Sequence, residues 1–551
     1  MRDLARKFAL QNALLHGGQA QAKAVVGKVL AADPDLRPRA LEVARAVSEM
    51  VREVNRLDLA EQRTQLEDLA PELLERHHEA RPTELPDLPG VSDDVVMRLA
   101  PYPSGPLHIG NARMVLLNDE YVKRYGGRLL LVHDDTIGSE EKLPLAEAYE
   151  QVEEGLRWLD VDISEVLHKS DRLPLFYDWG RRLLELGGAY VCLCSPMELR
   201  QNREAGRACE HRATTTEENL DRWEAMLGGG LEPGGAVVRL KTDMQHPNPA
   251  FRDRVLFRIS DRPHPRVGTR YRVWPLLEFS WAVDDHLLGV THVLRGKDLM
   301  MEDWMEQAIW DYFGVDGPAF VHYGLLRLKE AELSKSRQRQ LIEAGELAGV
   351  DDPRTWSLPS LERRGIQPQA LRSLIKGFGL SLTDIEVPAE TLYTENRRLI
   401  DPVANRYFFV PDPVRVRIQD LPEPRGARVP LHPDFPDRGV RVLPGSERVY
   451  LPTRDHEAYR GKKVRLKDWL NVQLDDEALF DSWKVQDIPK IQWLPAGIPG
   501  EVLMPDGSRV EGLAEEALGR LEPGTIVQFE RYGFVRLEAT GGSVEAAFAH
   551  R

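Results

Sequence analysis

An apolar run, a turn stiffened by three prolines and a glycine, and the start of a helix follow without a gap in Arg98-Leu-Ala-Pro-Tyr-Pro-Ser-Gly-Pro-Leu-His-Ile-Gly-Asn111. No other stretch of the chain constrains its fold as tightly. Val95 to Ala100 reads as a buried strand, His108 to Tyr125 as a helix and Gly127 to Val132 as a second strand. A ligand-type turn placed directly after the first strand of such an alternation is the pattern of a doubly wound parallel sheet. The helix N-terminus gathers unpaired N–H donors and positive dipole, which suits a phosphate. His108 adds a side-chain donor, and the bare Cα of Gly110 lets a flat base or a phosphate approach the backbone. A His-Ile-Gly tripeptide also arises by accident. Here it has a companion far downstream, Leu333-Ser-Lys-Ser-Arg337, whose Lys335 can neutralise phosphate charge.

The texture changes along the chain. Residues 1–80 are rich in Ala, Leu, Arg and Glu and read as all-helical, with breaks at Gly17-Gly18 and from Asp33-Pro34 to Pro38. A proline-rich linker is expected over 81–94. The α/β pattern occupies 95–190, is interrupted over 191–274 by a segment holding every cysteine, and resumes over 275–345. A basic helical region covers 346–395. Over 396–551 the chain becomes strand-like, with alternation in Val414-Arg-Val-Arg-Ile418 and turn signals such as Pro505-Asp-Gly507. Short strands of this kind suggest one or two β-barrels.

Bulk properties narrow the function. A chain of 551 residues has room for three to four domains. No apolar run approaches the ~20 residues of a membrane span, and the N-terminus lacks the apolar core of a signal peptide, so a cytoplasmic, non-membrane protein is expected. Three cysteines are too few for a disulfide framework, which fits a reducing compartment. A net charge of −15 argues against a non-specific nucleic-acid coat, yet a local basic face can still grip phosphates.

Cys192-x-Cys194 and Cys209-x-His211 place two ligand pairs around a short loop, a spacing that suits tetrahedral zinc. A closed four-ligand site would be structural and would stake down a small domain with little core. The alternative is half-buried strand cysteines with no metal.

His108-Ile-Gly110 and Leu333-Ser-Lys-Ser336, in this order and separation, resemble the two signatures of class I aminoacyl-tRNA synthetases. The surroundings resemble the glutamyl/glutaminyl branch: Asp134-Asp-Thr136, Phe251-Arg-Asp253, Phe257-Arg258, the run Asp284 to Asp298, Gly349-Val-Asp-Asp-Pro-Arg354 and Gln528 to Arg536. The helical N-terminus and β-type C-terminal half are similar to archaeal members. The resemblance implies a Rossmann-like catalytic core with an inserted acceptor-binding domain, an all-helical N-terminal domain and C-terminal β-barrel anticodon-binding domains. It implies ATP with Mg2+, glutamate and tRNA-Glu as substrates, and a monomer. A glutaminyl enzyme, an enzyme that also glutamylates tRNA-Gln, and an inactive tRNA-binding paralogue are the alternatives.

The chemistry then assigns roles. A substrate carboxylate attacks the α-phosphate of ATP and pyrophosphate leaves, so catalysis is positioning and charge neutralisation. The resemblance makes His108 and Lys335 the catalytic pair, and His108, Gly110, Asn111, Ser334, Lys335 and Ser336 the ATP-binding set. It gives Asp134 to the substrate α-amino group, Arg98 to its side-chain carboxylate and Arg295 to a carboxylate, with Ala100 and Ser104 on the pocket floor. Zinc at Cys192, Cys194, Cys209 and His211 also agrees with the family.

Some positions depart from the family pattern. Asn111 stands where a second His is usual, and Glu332 where the first Lys of the second signature is usual. Leu277 and Trp281 stand where a Tyr and an Asn are common, and Val132-His133 where an Arg and an apolar residue are common. Selectivity for Glu over Gln therefore cannot be carried over residue by residue, although a buried Arg98 favours a carboxylate partner. Basic clusters at Arg363-Arg364, Arg372, Lys376, Arg397-Arg398 and Lys462 to Lys467 are expected to form a positive track for an L-shaped RNA, with the β-barrels reading unstacked bases.

Overall fold

The computed structural model describes residues 2–15, 17–33, 36, 39–70, 84–91, 94–138, 142–330, 335–423 and 425–551. Leu333 and Ser334 of the second signature, Glu332, and residues 81–83 and 92–93 of the expected linker lie outside the described residues. Residues 1–83 and 84–551 form two compact units.

In the first unit the helices Arg2–Leu15, Ala22–Ala32, Ala40–Val54 and Leu59–Leu69 surround a core that includes Leu10, Val25, Val29, Val43 and Val47. Asp58 caps the last helix reciprocally with Glu61. The buried Gln62 amide donates to the carbonyls of Gly18, Val54 and Leu57, tying the breaks between helices together.

The second unit is built on a five-stranded parallel sheet, β1 (Val96–Leu99), β2 (Arg128–His133), β3 (Glu165–His168), β4 (His292–Gly296) and β5 (Ala319–Tyr323), in the order β3-β2-β1-β4-β5. Winding reverses between β1 and β4. Connections leave the sheet in opposite directions there, so a crevice opens beyond the C-terminal ends of the strands. Helix α1 (Ile109–Tyr125) crosses from β1 to β2 and buries Ile109, Ala112, Val115 and Leu116 on the sheet. Gly126 ends it in the left-handed conformation, φ 65°, which a glycine adopts without a Cβ penalty.

Between β3 and β4 lies an antiparallel sheet of Ala189–Cys192, Val237–Leu240, Val255–Ile259 and Val273–Pro275. Its Phe257 and Trp274, with Trp223 of the helix Thr216–Leu227, share one apolar cluster with Phe279 of helix α2 (Leu277–Leu287) and Trp310 of helix α3 (Met300–Phe313). The insertion is therefore packed onto the catalytic layer, not tethered to it.

Helix α4 (Lys335–Glu343) opens a helical region that runs to Ile400. Beyond it come two curled sheets. The seven-stranded one begins with Asn405–Tyr407 and ends with Phe409–Pro411, strands separated by Phe408 alone, so its two edges are brought together. The six-stranded one has Arg448–Pro452 at one edge and Lys490–Ile491 at the other, and a bridge between Tyr450 and Leu494 draws these edges close. The second sheet is inserted in sequence between strands of the first. Pro505-Asp-Gly507 forms the turn of the hairpin Ile498–Leu503 with Arg509–Ala514.

Candidate active site

The turn after β1 is organised by His108, which caps α1. Its Nδ1 accepts from the Gly110 N–H at 3.0 Å, and its own N–H donates to Asn111 Oδ1 at 3.2 Å. Two consequences follow. The Gly110 amide is committed to this cap and not free for a phosphate. Nδ1 being an acceptor, the imidazole proton sits on Nε2, which becomes the donor available to a ligand. Burial, reinforced by the Lys335 charge, pushes the imidazole down to about 4, so His108 is neutral near pH 7. Asn111, unlike the usual second His, serves here as the reciprocal half of the cap.

Lys335, the first residue of α4, lies against the same turn. Its Nζ donates to the Gly105 carbonyl at 3.2 Å, and burial lowers the ammonium to about 8. Ser104, Gly105 and Lys335 line one cavity of about 200 Å³. His108, Gly110, Asn111, Arg295 and Tyr323 line a neighbouring cleft of about 360 Å³. The turn thus divides the predicted nucleotide residues between two connected faces, and Ser104 falls on the Lys335 side. The cleft's far wall is held by Arg113, which donates to the carbonyls of Gly324 at 2.7 Å and Gly379 at 3.0 Å. A side chain at Gly324 would have its Cβ 2.2 Å from the Thr383 carbonyl oxygen, so only glycine fits there.

Across the C-terminal ends of β3, β2, β1 and β4 stand Lys169, Asp134, Arg98 and Arg295, all buried. They converge on the 4 %-exposed Trp281 of α2. The Arg98 and Arg295 guanidinium carbons lie 4.7 and 5.1 Å from its ring, and Lys169 Nζ lies 5.3 Å away. Arg98 pairs bidentately with Asp285 at 2.7 and 2.8 Å. Arg295 pairs with Asp303 at 2.5 Å and Glu306 at 2.8 Å. Lys169 lies 3.0 Å from Asp134 Oδ1 without hydrogen-bond alignment and donates to Ser280 Oγ at 2.7 Å. Burial pushes Glu306 up to about 8 against the opposing pull of Arg295. The adjacent Asp135 is structural, accepting from Ser170 N and Oγ and from Tyr149 OH at 2.7–2.9 Å.

Four buried polar atoms here find no hydrogen-bond partner: Asp134 Oδ1, Trp281 Nε1, Tyr102 OH and Glu306 Oε2. Buried polar atoms without partners are costly, and their gathering at one crevice marks a place for a polar, charged ligand. Lys169, Tyr102, Asp285, Asp303 and Glu306 escaped the sequence reading. The one legible trace was a charged Lys169-Ser-Asp-Arg172 run directly after a strand.

In the insertion, donor atoms of Cys192, Cys194, Cys209 and His211 all lie within 4.8 Å of one another. Cys192 Sγ is 3.7 Å from Cys209 Sγ, and Cys194 Sγ is 3.5 Å from His211 Nδ1. The edge of a tetrahedron with ~2.3 Å metal–sulfur bonds is about 3.8 Å, so the donor set fits zinc. The buried Arg239 points Nη1 at Cys209 and Cys192 Sγ, 3.9 and 4.0 Å away, where a cation balances thiolate charge.

Many residues of the basic clusters of the C-terminal half are paired within the protein. Arg364 is buried and donates to the carbonyls of Phe548 and Ala549. Arg363 pairs with Glu538, Arg372 with Asp119 and Glu120, Lys376 with Glu120, Arg397 with Glu390, and Arg398 with Glu395. Lys463 pairs with Asp481, and Lys467 with Glu530. Arg415, Arg417 and Arg448 are exposed and make no ion pair among the described residues. Arg417 lies directly across from Arg448, and Arg415 from Tyr450.

The profile of the family "tRNA synthetases class I (E and Q), catalytic domain" matches residues 94–400, and the anti-codon binding domains of the same family match 404–487 and 475–538. The chain belongs to the class I synthetases of the glutamyl/glutaminyl branch. It is similar to the glutamate–tRNA ligase of Pyrococcus abyssi, 43% identical over 570 residues, covering 100% of this chain and 99% of that one. The glutamate–tRNA ligases of Methanoculleus marisnigri and Methanopyrus kandleri are each 44% identical, covering 99% and 100% of this chain and 98% and 99% of theirs. Among the described residues no helix is long and apolar enough to cross a membrane.

Proposed function

We propose that the chain is a glutamate–tRNA ligase. It activates glutamate with ATP to glutamyl-adenylate and transfers the glutamyl group to the 3′-terminal adenosine of tRNA-Glu. The observation that carries this reading is the cation cluster around Trp281 beside the His108–Lys335 turn: an anionic amino acid and a triphosphate are the pair of ligands that such a crevice neutralises. Full-length similarity to glutamate–tRNA ligases supports the same choice.

In this reading His108, neutral and carrying its proton on Nε2, donates to a phosphate oxygen without adding charge. Lys335, at the start of α4 and followed by Ser336, supplies the cation that meets the charge developing on the leaving pyrophosphate. Mg2+ accompanying the nucleotide as substrate would supply further positive charge to the phosphates. Asp134 accepts from the α-amino group, Arg98 and Arg295 face carboxylate oxygens, and Ala100 bounds the pocket. Asn111 secures the cap that aims His108. Cys192, Cys194, Cys209 and His211 would hold a structural zinc, which would brace the acceptor-binding insertion. The enzyme works as a monomer in the cytoplasm.

Purified protein with ATP, labelled glutamate or glutamine, and tRNA-Glu or tRNA-Gln tests this. Glutamate attached to tRNA-Glu is the expected product. Attachment of glutamine in preference, or of neither, overturns the reading, and glutamate attached also to tRNA-Gln would extend the acceptor range.

A further inference from the structure

Two consecutive carbonyls, those of Thr355 and Trp356, each hold one signature segment. The Thr355 carbonyl accepts from Gln338 Nε2 at 2.7 Å, and the Trp356 carbonyl accepts from the Ile109 N–H at 3.2 Å. Gln338 lies three residues beyond Lys335 on α4, so the two side chains leave one face of that helix. Lys335 reaches Gly105 while Gln338 reaches Thr355. Ile109 opens α1 and follows His108 directly. On the other side of His108 the Leu107 carbonyl accepts from the Leu358 N–H at 2.8 Å, and His108 pairs with Ser357 in an antiparallel bridge. Among the described residues no side chain of α4 is fully buried, so its place depends on polar contacts more than on packing.

The two carbonyls belong to peptide planes that meet at the Cα of Trp356. Each plane is rigid, so φ and ψ of Trp356 set the angle between the two acceptors. These torsions are 54° and 22°, in the left-handed region, where a bulky residue is strained. The surroundings hold it there. The ring is buried, stacked on Tyr393 with centroids 6.4 Å apart, and the Arg364 guanidinium carbon lies 5.2 Å from it. Arg364 is fixed in turn, donating to Tyr393 OH and to the Ala549 carbonyl, each at 2.8 Å. The Ser357 hydroxyl donates to the Val350 carbonyl at 2.5 Å, and Asp352 accepts from the Arg354 N–H at 3.0 Å, which folds the segment back on itself.

We propose that Trp356 is a positioning residue: its left-handed backbone aims the Thr355 and Trp356 carbonyls so that the helices carrying Lys335 and His108 stand in register for adenylate formation. Gln338 is the matching contact on α4. The inference rests on His108 and Lys335 acting on ATP, and it adds to them a clasp that lies outside both signatures.

The test is glutamate-dependent pyrophosphate exchange by the full-length enzyme with tRNA present. Trp356→Asn and Trp356→Val both delete the ring, but Asn accepts the left-handed region and β-branched Val does not. The Val variant should lose ~30-fold in kcat and the Asn variant less than about fivefold, because a small misplacement of reacting groups is costly. The KM for glutamate should stay within about twofold in both. Gln338→Leu should lower kcat ~10-fold in the wild-type background and by no more than about twofold once Lys335 is Ala, since a group acting through Lys335 then has nothing left to place. That pair decides the matter if the Trp356 variants do not fold. Equal losses in the Asn and Val variants overturn the proposal, as does a Gln338→Leu loss that persists in full without Lys335. A wild-type enzyme with no glutamate-dependent exchange overturns instead the functional reading beneath it.

Discussion

The Lys335 ammonium donates to the carbonyl oxygen of Gly105 at 3.2 Å, which ties the start of α4 to the turn between β1 and α1. The two signature segments, far apart in sequence, therefore share one turn. His108 stands in that turn and senses the lysine directly, since the charge of Lys335 helps hold its imidazole neutral.

Lys335→Ala should reduce adenylate formation, measured by pyrophosphate exchange with tRNA present, by ~10³-fold while tRNA affinity changes less than about threefold. Because burial holds the ammonium at about 8, it loses its charge as pH rises through that value. Wild-type activation should fall on the alkaline side, and Lys335→Arg should remove that fall. Unchanged turnover in the alanine variant would take Lys335 out of the mechanism.

Glu306 makes a prediction about stability. Burial raises its carboxyl from 4.5 to about 8. For an acid whose folded-state value lies above its unfolded one, the contribution to stability is full below 4.5 and is lost as pH rises through about 8. Glu306→Gln, which cannot ionise, should flatten the decline of the melting temperature across that window. Parallel declines in the two proteins would show that Glu306 is not held protonated.

The cysteine cluster should bind about one zinc per chain. Cys209→Ser should lose the metal on dialysis against a chelator and lower the melting temperature, since closed zinc sites contribute folding energy directly. Arg239→Met should keep the ligands but release zinc ~10-fold more readily, as loss of an outer partner generally does. Metal-free wild-type protein of full stability would argue against the site.

Directly opposed arginines repel across a sheet, so the Arg417–Arg448 pair is a feature that an RNA phosphate would relieve. Arg417→Glu and Arg448→Glu together should weaken tRNA binding ~10-fold or more and reduce the salt slope by about two. Pyrophosphate exchange at saturating tRNA should be unchanged. Equal salt slopes would place the RNA on another face.

Much of this protein is local, and local chemistry is readable. The strand–turn–helix at Arg98 to Asn111, the Cys192/Cys194 and Cys209/His211 pairs, and the Pro505-Asp-Gly507 turn depend on residues close in sequence, where backbone preference and ligand spacing speak directly. The closure of the two C-terminal sheets and the partners of the charged residues do not. Asp285 meets Arg98, Glu120 meets Arg372, and Arg364 is buried against Phe548 and Ala549 only because distant elements pack there. A run of basic residues looks the same on paper whether it is solvated or paired. Burial and the distance to a counter-charge decide which it is, and both are properties of the fold. For that reason the motifs announced a synthetase of this branch, while the tertiary structure alone brought Lys169 to Trp281 and left Arg415, Arg417 and Arg448 exposed without an ion pair among the described residues.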